Sequence, residues 1–318
     1  MDKKSLADET NAGLHRFAVA TAIATVFLIF AGGLVTSTES GLSVPDWPLS
    51  YGRLMPPMVG GIFYEHGHRM VATTVGLLTV ILAVWLGRRE PRAWVRRLGY
   101  GALAAVVAQG VLGGLTVLLL LPTAVSVAHA CLAQTFFCLI VAIAVVTSPG
   151  WRFARHAPGG GLARIGAATV AVIFLQLLLG AVMRHTKAGL AIPDFPLALG
   201  RIVPPLQSSA VAIAFAHRAT ALLVAACVAL CAIRAFASGR PGLKKASLLL
   251  AALAAVQIAL GAFTVISKKA VPVTTAHVAT GALLLATALT FTLCSLKAGR
   301  SARDSARNKS LMPREAVA

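Results

Sequence analysis

Apolar stretches of roughly 20 residues recur along almost the whole chain, and few folds can accommodate them. A helix needs about 20 mostly apolar residues to cross a hydrocarbon core of about 30 Å, and there only helices and closed barrels satisfy their own backbone polar groups. The stretches fall near 17–36, 67–86, 98–120, 125–147, 165–183, 210–233, 246–266 and 274–296. They predict an all-α polytopic membrane protein with eight transmembrane helices. The 318 residues are 58% hydrophobic and 12% charged, with a mean hydropathy of +0.82, far from a water-soluble composition. No small-residue cleavage site follows the first stretch, so it reads as a retained helix and not a signal peptide.

A formal charge of +19 invites a nucleic-acid reading, but the placement of the cations argues against one. Alternate connections and both tails hold 21 of the 29 Lys and Arg, five of them in 87–97 (GRREPRAWVRR). The other connections hold six, Arg53, Arg184, Lys187, Arg201, Lys268 and Lys269, while Arg69 and Arg218 sit at helix starts. By the positive-inside rule both termini are cytoplasmic and the number of spans is even. Asp2, Asp8 and Glu9 interrupt the N-terminus, unlike a transit peptide, so the expected location is a bacterial inner membrane. Cys131, Cys138, Cys227, Cys231 and Cys294 all fall in apolar segments, as small packing residues do and a disulfide framework does not.

The chain also repeats itself. Segment 41–57 (GLSVPDWPLSYGRLMPP) matches 189–205 (GLAIPDFPLALGRIVPP) at 10 of 17 positions. The same offset aligns Gln109 with Gln257, Gly113 with Gly261, Thr116 with Thr264 and His129 with His277; one inserted residue aligns His68-Arg69 with His217-Arg218. Four spans per copy make both copies enter the membrane in the same direction. The expected architecture is two tandem parallel four-helix bundles at 17–147 and 165–296. A cytoplasmic tail (1–16), a cytoplasmic linker (148–164) and a basic cytoplasmic tail (297–318) complete it. Pro and Gly stop the helices at the PDWP and PDFP loops, which are either hairpin turns or lids over a site.

Histidines carry the chemistry. His15, His156 and His185 lie in basic or loop segments, where solvation explains them. His68, His129, His217 and His277 fall in the first turns of the second and fourth helices of each copy, at separations of 61 and 60 residues. Those helices stand diagonally opposite in a four-helix bundle, so two imidazoles approach its axis from opposite sides, as the axial ligands of haem iron do. The competing explanation for one such histidine is a helix-to-helix hydrogen bond, but four in register favour ligation, since polar groups at this depth are costly and functional. Zinc is disfavoured because no cysteine or carboxylate cluster completes a four-coordinate site. His66 points about 200° away from His68 on a helix, and the repeat selects His68, whose counterpart is His217. Arg69 and Arg218 are candidates to pair with haem propionates or to snorkel to the interface.

The copies differ at one decisive place. Among ten acidic residues, Glu65 alone sits at the mouth of a transmembrane helix, on the same face as His68 three residues later; the second copy has Ala214 there. A desolvated carboxylate beside one site is a plausible acid, base or cation stabiliser, the alternative being a helix-start residue favoured by the dipole.

Two four-helix copies, Glu65-x-x-His68-Arg69, His217-Arg218, His129, His277 and the GLSVPDWP loop together resemble the haem A synthases over about residues 15–296. The resemblance implies oxidation of a ring methyl of haem O to a formyl group, giving haem A for cytochrome oxidase assembly. It implies that Glu65 is the catalytic carboxylate, that His68 and His129 hold the substrate haem, and that His217 and His277 ligate a permanent haem b. It further implies haem O synthase and other assembly factors as partners, within the lipid bilayer, and allows an oligomer. Some members carry a cysteine pair in the first outer loop; 36–61 has none here, and neither has 185–209. Three rivals remain at this point: a quinol-linked di-haem b cytochrome, a parallel-repeat transporter and a haem-delivery factor without catalysis.

Overall fold

Each apolar stretch folds as a helix, since in a segment poor in polar side chains the amide of one residue finds its acceptor four residues back. In the computed structural model, backbone is described over 3–153 and 160–311 and side chains over 12–151 and 161–296; His156, residues 1–11 and the tail 297–318 lie outside the described side chains. The helices are α1 (Lys3–Ser37), α2 (Gly60–Arg89), α3 (Ala93–Leu118), α4 (Thr123–Thr147), the single-turn α5 (Pro149–Phe153), α6 (Gly160–His185), α7 (Ser209–Ala237), α8 (Pro241–Ile266) and α9 (Val271–Leu311). Eight of them are long and apolar enough to cross a membrane, so the chain is an all-α polytopic membrane protein. Several helices outrun the stretches read from hydropathy, which marks only the part matched to hydrocarbon. The consequence for α2 matters: it starts at Gly60, which places Glu65, His66 and His68 inside the helix and not at its mouth.

Helix α1 packs on α2 and α4, and α3 also packs on α2 and α4, closing a ring of four. Likewise α6 and α8 each pack on α7 and α9. Helix α2 therefore lies diagonal to α4, and α7 to α9. The rings meet where α1 touches α9 and α4 touches α6 and α9, around Ile29, Phe137, Val141 and Ala282. Accordingly α4 and α9 are the most enclosed spans, while large apolar side chains such as Phe27, Leu222 and Ile233 face outward. Lipid tails are as apolar as these side chains, so close packing and hydrogen bonds hold such helices together. Buried threonines return their hydroxyls to the preceding turn, as Thr25 does to Thr21 O (2.8 Å), Thr79 to Val75 O (2.7 Å) and Thr292 to Ala288 O (2.7 Å), leaving no hydroxyl of these three unsatisfied.

Both loops leave the same end of the molecule, because the last turns of α1 and α6 lie together: Arg184 Nη2 donates to Gly33 O (3.2 Å) and Ser37 Oγ (2.8 Å). The two loops share one conformation. The Asp46 carboxylate accepts from Tyr51 N (2.7 Å) and Gly52 N (2.8 Å), and Asp194 accepts from Leu199 N (2.7 Å) and Gly200 N (2.8 Å). These bonds pin turns in which Tyr51, Gly52, Leu199 and Gly200 all have positive φ. The first loop drops Trp47 onto α3 at Gly114, where a Cβ would stand 2.6 Å from the indole; the aligned residues are Phe195 and Ala262, a smaller ring matched to a larger residue.

The N–H groups of Gly52 and Tyr51 hold the Asp46 carboxyl below its ordinary range. A depressed carboxyl stabilises the folded turn above its unfolded value of about 4 and loses that contribution as pH falls through the lower folded value. The amides of Tyr51 and Gly52 should therefore stay protected from hydrogen exchange down to about pH 4 and open below it. Asp46→Ala should expose the Arg53–Leu54 bond to trypsin at neutral pH; a resistant variant would show that the carboxylate does not hold the turn.

Candidate functional site

The four aligned histidines occupy diagonal helices, His68 on α2 and His129 on α4, His217 on α7 and His277 on α9. Each also lies against a glycine of a neighbouring helix. A Cβ at Gly32 would stand 3.1 Å from His68 Cε1, at Gly113 3.2 Å from His129, at Gly180 3.1 Å from His217 and at Gly261 3.2 Å from His277. Four times, then, a missing side chain makes the notch that receives an imidazole, the close-approach use of glycine.

One helical turn before three of these glycines stands a glutamine. Gln109 Nε2 lies 3.3 Å from His129 Nε2 and donates to His129 O (3.0 Å). Gln176 Nε2 lies 3.2 Å from His217 Nε2 and donates to His217 O (3.0 Å), and Gln257 Nε2 lies 3.4 Å from His277 Nε2. The fourth position, Leu28 on α1, offers His68 no side-chain amide. Reading the repeat aligned Gln109 with Gln257 and Gly113 with Gly261 but assigned them no role, and it passed over Gln176, Gly180 and Gly32. The usable signal was Q-x-x-x-G, present three times.

Nδ1 of all four ligand candidates is buried without a hydrogen-bond partner. Among the described residues no three His, Cys, Asp or Glu side chains gather as a metal-binding group. A pair of facing imidazoles can hold a metal ion only if the remaining in-plane donors arrive with it, which is how a porphyrin presents its iron. The donor set fits a haem in each ring.

The rings part company beneath their loops. In the first, Glu65 is 4% exposed; its Oε2 accepts from Val44 N (2.8 Å) and its Oε1 from Arg69 Nη2 (2.7 Å). Arg69 Nη1 donates to Asp46 O (2.8 Å) and Leu49 O (2.9 Å). Buried His66 bonds Ser50 Oγ through Nδ1 (2.8 Å), so it faces the loop, away from the bundle axis. In the second ring the aligned residues Ile192, Ala198, Ala214 and Phe215 form one apolar cluster. Arg218 alone keeps its polar task, donating to Leu197 O (2.9 Å) and Ile192 O (2.8 Å). Each loop is thus a roof fastened to the helix carrying the first histidine of its ring, with a polar underside in the first ring only. Of the histidines expected to be solvated, His15 instead bonds Ala144 O through Nδ1 (3.0 Å), and His185 is half-buried, its carbonyl 3.5 Å from Thr123 Oγ1.

A family model described as "Cytochrome oxidase assembly protein" (COX15-CtaA) matches residues 15–61 and 59–289. Among similar proteins, a heme A synthase of Symbiobacterium thermophilum is 32% identical over 219 residues, covering 66% of this chain and 71% of the relative. One of Halalkalibacterium halodurans is 32% identical over 237 residues, with coverage of 68% and 76%. One of Shewanella oneidensis is 27% identical over 311 residues, with coverage of 85% and 93%. The chain belongs to the COX15-CtaA family of cytochrome oxidase assembly proteins, the haem A synthase family.

Proposed function

We propose that the chain is a haem A synthase, a membrane oxidoreductase that converts a methyl group of haem O to a formyl group. The observation that carries the reading is the pair of glycine-seated histidines on diagonal helices of each ring, combined with a carboxylate beneath one loop only. The two rings act as tandem bundles, 17–147 catalytic and 165–296 accessory. His68 and His129 hold the substrate haem O, and His217 and His277 hold haem b. Haem b supplies one-electron transfer when bound.

The residues of the first ring do the positioning. His68 and His129 would hold the substrate haem, and their glycine notches seat the imidazoles. Arg69 and the Val44 N–H orient both oxygens of Glu65, so the carboxylate is preorganised before substrate arrives. In a water-poor site such a fixed negative charge stabilises positive charge developing at the oxidised carbon far better than mobile water does. The roof formed by 41–57, fastened through Arg69, keeps bulk water off that carboxylate. The location is the inner membrane of a bacterium with both termini cytoplasmic, as the cation distribution supports; the haem O synthase and other assembly factors are the expected partners.

Haems extracted from protein produced together with a haem O source test the reading. Haem A or its hydroxylated precursor is the expected chromatographic species beside haem b. Haem b alone would make the chain a di-haem electron-transfer protein, and a colourless protein would remove all four histidines as ligands.

A further inference from the structure

Among the described residues no acid pairs with Arg184. It lies half-buried in the last turn of α6, within an apolar span. The ion pairs of Arg69 with Glu65 and of Arg92 with Glu90 do not involve it. Arg184 instead meets neutral oxygens of α1, Gly33 O and Ser37 Oγ, through Nη2 alone. Arg184 is the last residue but one of its span, where a guanidinium reaches the interface and pairs with an anion where one is offered.

Its place on α6 says which anion. Gln176, Gly180 and Arg184 follow one another at intervals of four residues, so they run up one side of the helix. Gln176 and Gly180 both lie against His217, and Gly33 and Ser37, which accept from Arg184, lie against Thr275 of α9, two residues before His277. The stripe therefore borders the space between the two histidines, with the cation at its loop end. On α1 the aligned stripe reads Leu28, Gly32, Thr36, with neither the amide nor the charge. Arg69 and Arg218, meanwhile, have their guanidiniums committed to loop carbonyls. Resting on the haem reading above, we propose that Arg184 binds a propionate carboxylate of the haem held by His217 and His277, and so makes the second ring the one that retains its haem. The first ring, whose stripe ends in Thr36, keeps its haem exchangeable, as a substrate site requires.

Full-length protein purified with its haem tests this. A charge-assisted hydrogen bond contributes about 1.5–3 kcal/mol, roughly tenfold or more in an equilibrium. Arg184→Met should accelerate loss of haem b to an excess of haem scavenger by about tenfold and lower the midpoint potential of the remaining haem b, because the lost cation favoured the reduced form. Arg184→Lys should recover most of both. Ser37→Ala, which removes a neutral contact of Arg184 but leaves the charge, should behave as wild type. Reconstituted with haem whose propionates are methyl esters, the wild type should hold the ester about tenfold less well than haem b, and Arg184→Met should no longer distinguish them. Unchanged retention and potential in Arg184→Met would overturn the proposal, as would Ser37→Ala reproducing its effects. Loss confined to the substrate haem would place the carboxylate in the first ring and overturn it too. Should Arg184→Met fail to accumulate, equal retention of ester and acid by the wild type decides against it. A wild type that binds no haem would fail the functional reading instead, a distinguishable result.

Discussion

Replacing Glu65 by alanine should abolish haem A formation while leaving haem b in place. The loss should be about 10²-fold or more, the range for removing one preorganised electrostatic group. Two observations make the variant informative about chemistry and not folding. Arg69 also donates to Asp46 O and Leu49 O, bonds that do not involve the carboxylate, so the loop should stay fastened without it. The second ring already contains the substituted arrangement, Ala214 beneath a loop held by Arg218 alone. Glu65→Gln, which keeps the shape but not the charge, should be nearly as inactive if charge is what counts. Haems extracted from membranes and separated by chromatography, normalised to protein, give the answer. Undiminished haem A in both variants would move the catalytic role elsewhere in the first ring.

Much of this was legible in the chain before folding. Helix number and the all-α class followed from hydropathy, because the bilayer imposes a single length on every span. That His68 and His129, and His217 and His277, stand on diagonal helices followed from the repeat, since four spans per copy put the second and fourth helices on a diagonal. What escaped depends on contacts between neighbouring helices. Nothing in the spacing of Gly32 and His68 says that one receives the other, because the rotation of α1 against α2 is set by packing along both helices. The underside of the loop escaped for a related reason. Ser50 and His66 are sixteen residues apart and meet only because Asp46 fixes the turn between them. Yet the aligned pairs Ser50 with Ala198 and His66 with Phe215 were visible together, and their joint change from polar to apolar marked a contact.

Filling the glycine notches should remove haem one ring at a time. A Cβ at 3.1–3.2 Å from an imidazole carbon is already tighter than ordinary contact, and the γ-carbons of valine have nowhere to go but into the ring. Overpacking of this kind costs about 1–3 kcal/mol, and here the softest response is for the imidazole to swing away from the bundle axis. Gly180→Val and Gly261→Val should therefore lose most of their haem b, by about tenfold in occupancy, and lose haem A formation with it. Gly32→Val and Gly113→Val should keep haem b yet stop making haem A, since only the substrate ligands His68 and His129 are displaced. Alanine at the same sites should act in the same direction more weakly, because the neighbouring ring has to yield only a few tenths of an ångström. Gly101→Val is the control, a glycine of α3 where a Cβ would meet no atom within 4 Å. Haem-to-protein ratios from pyridine haemochrome spectra separate the cases. Equal loss of haem b from all four variants would mean that the two rings do not hold their haems independently, and the division into a substrate ring and a retaining ring would have to be given up.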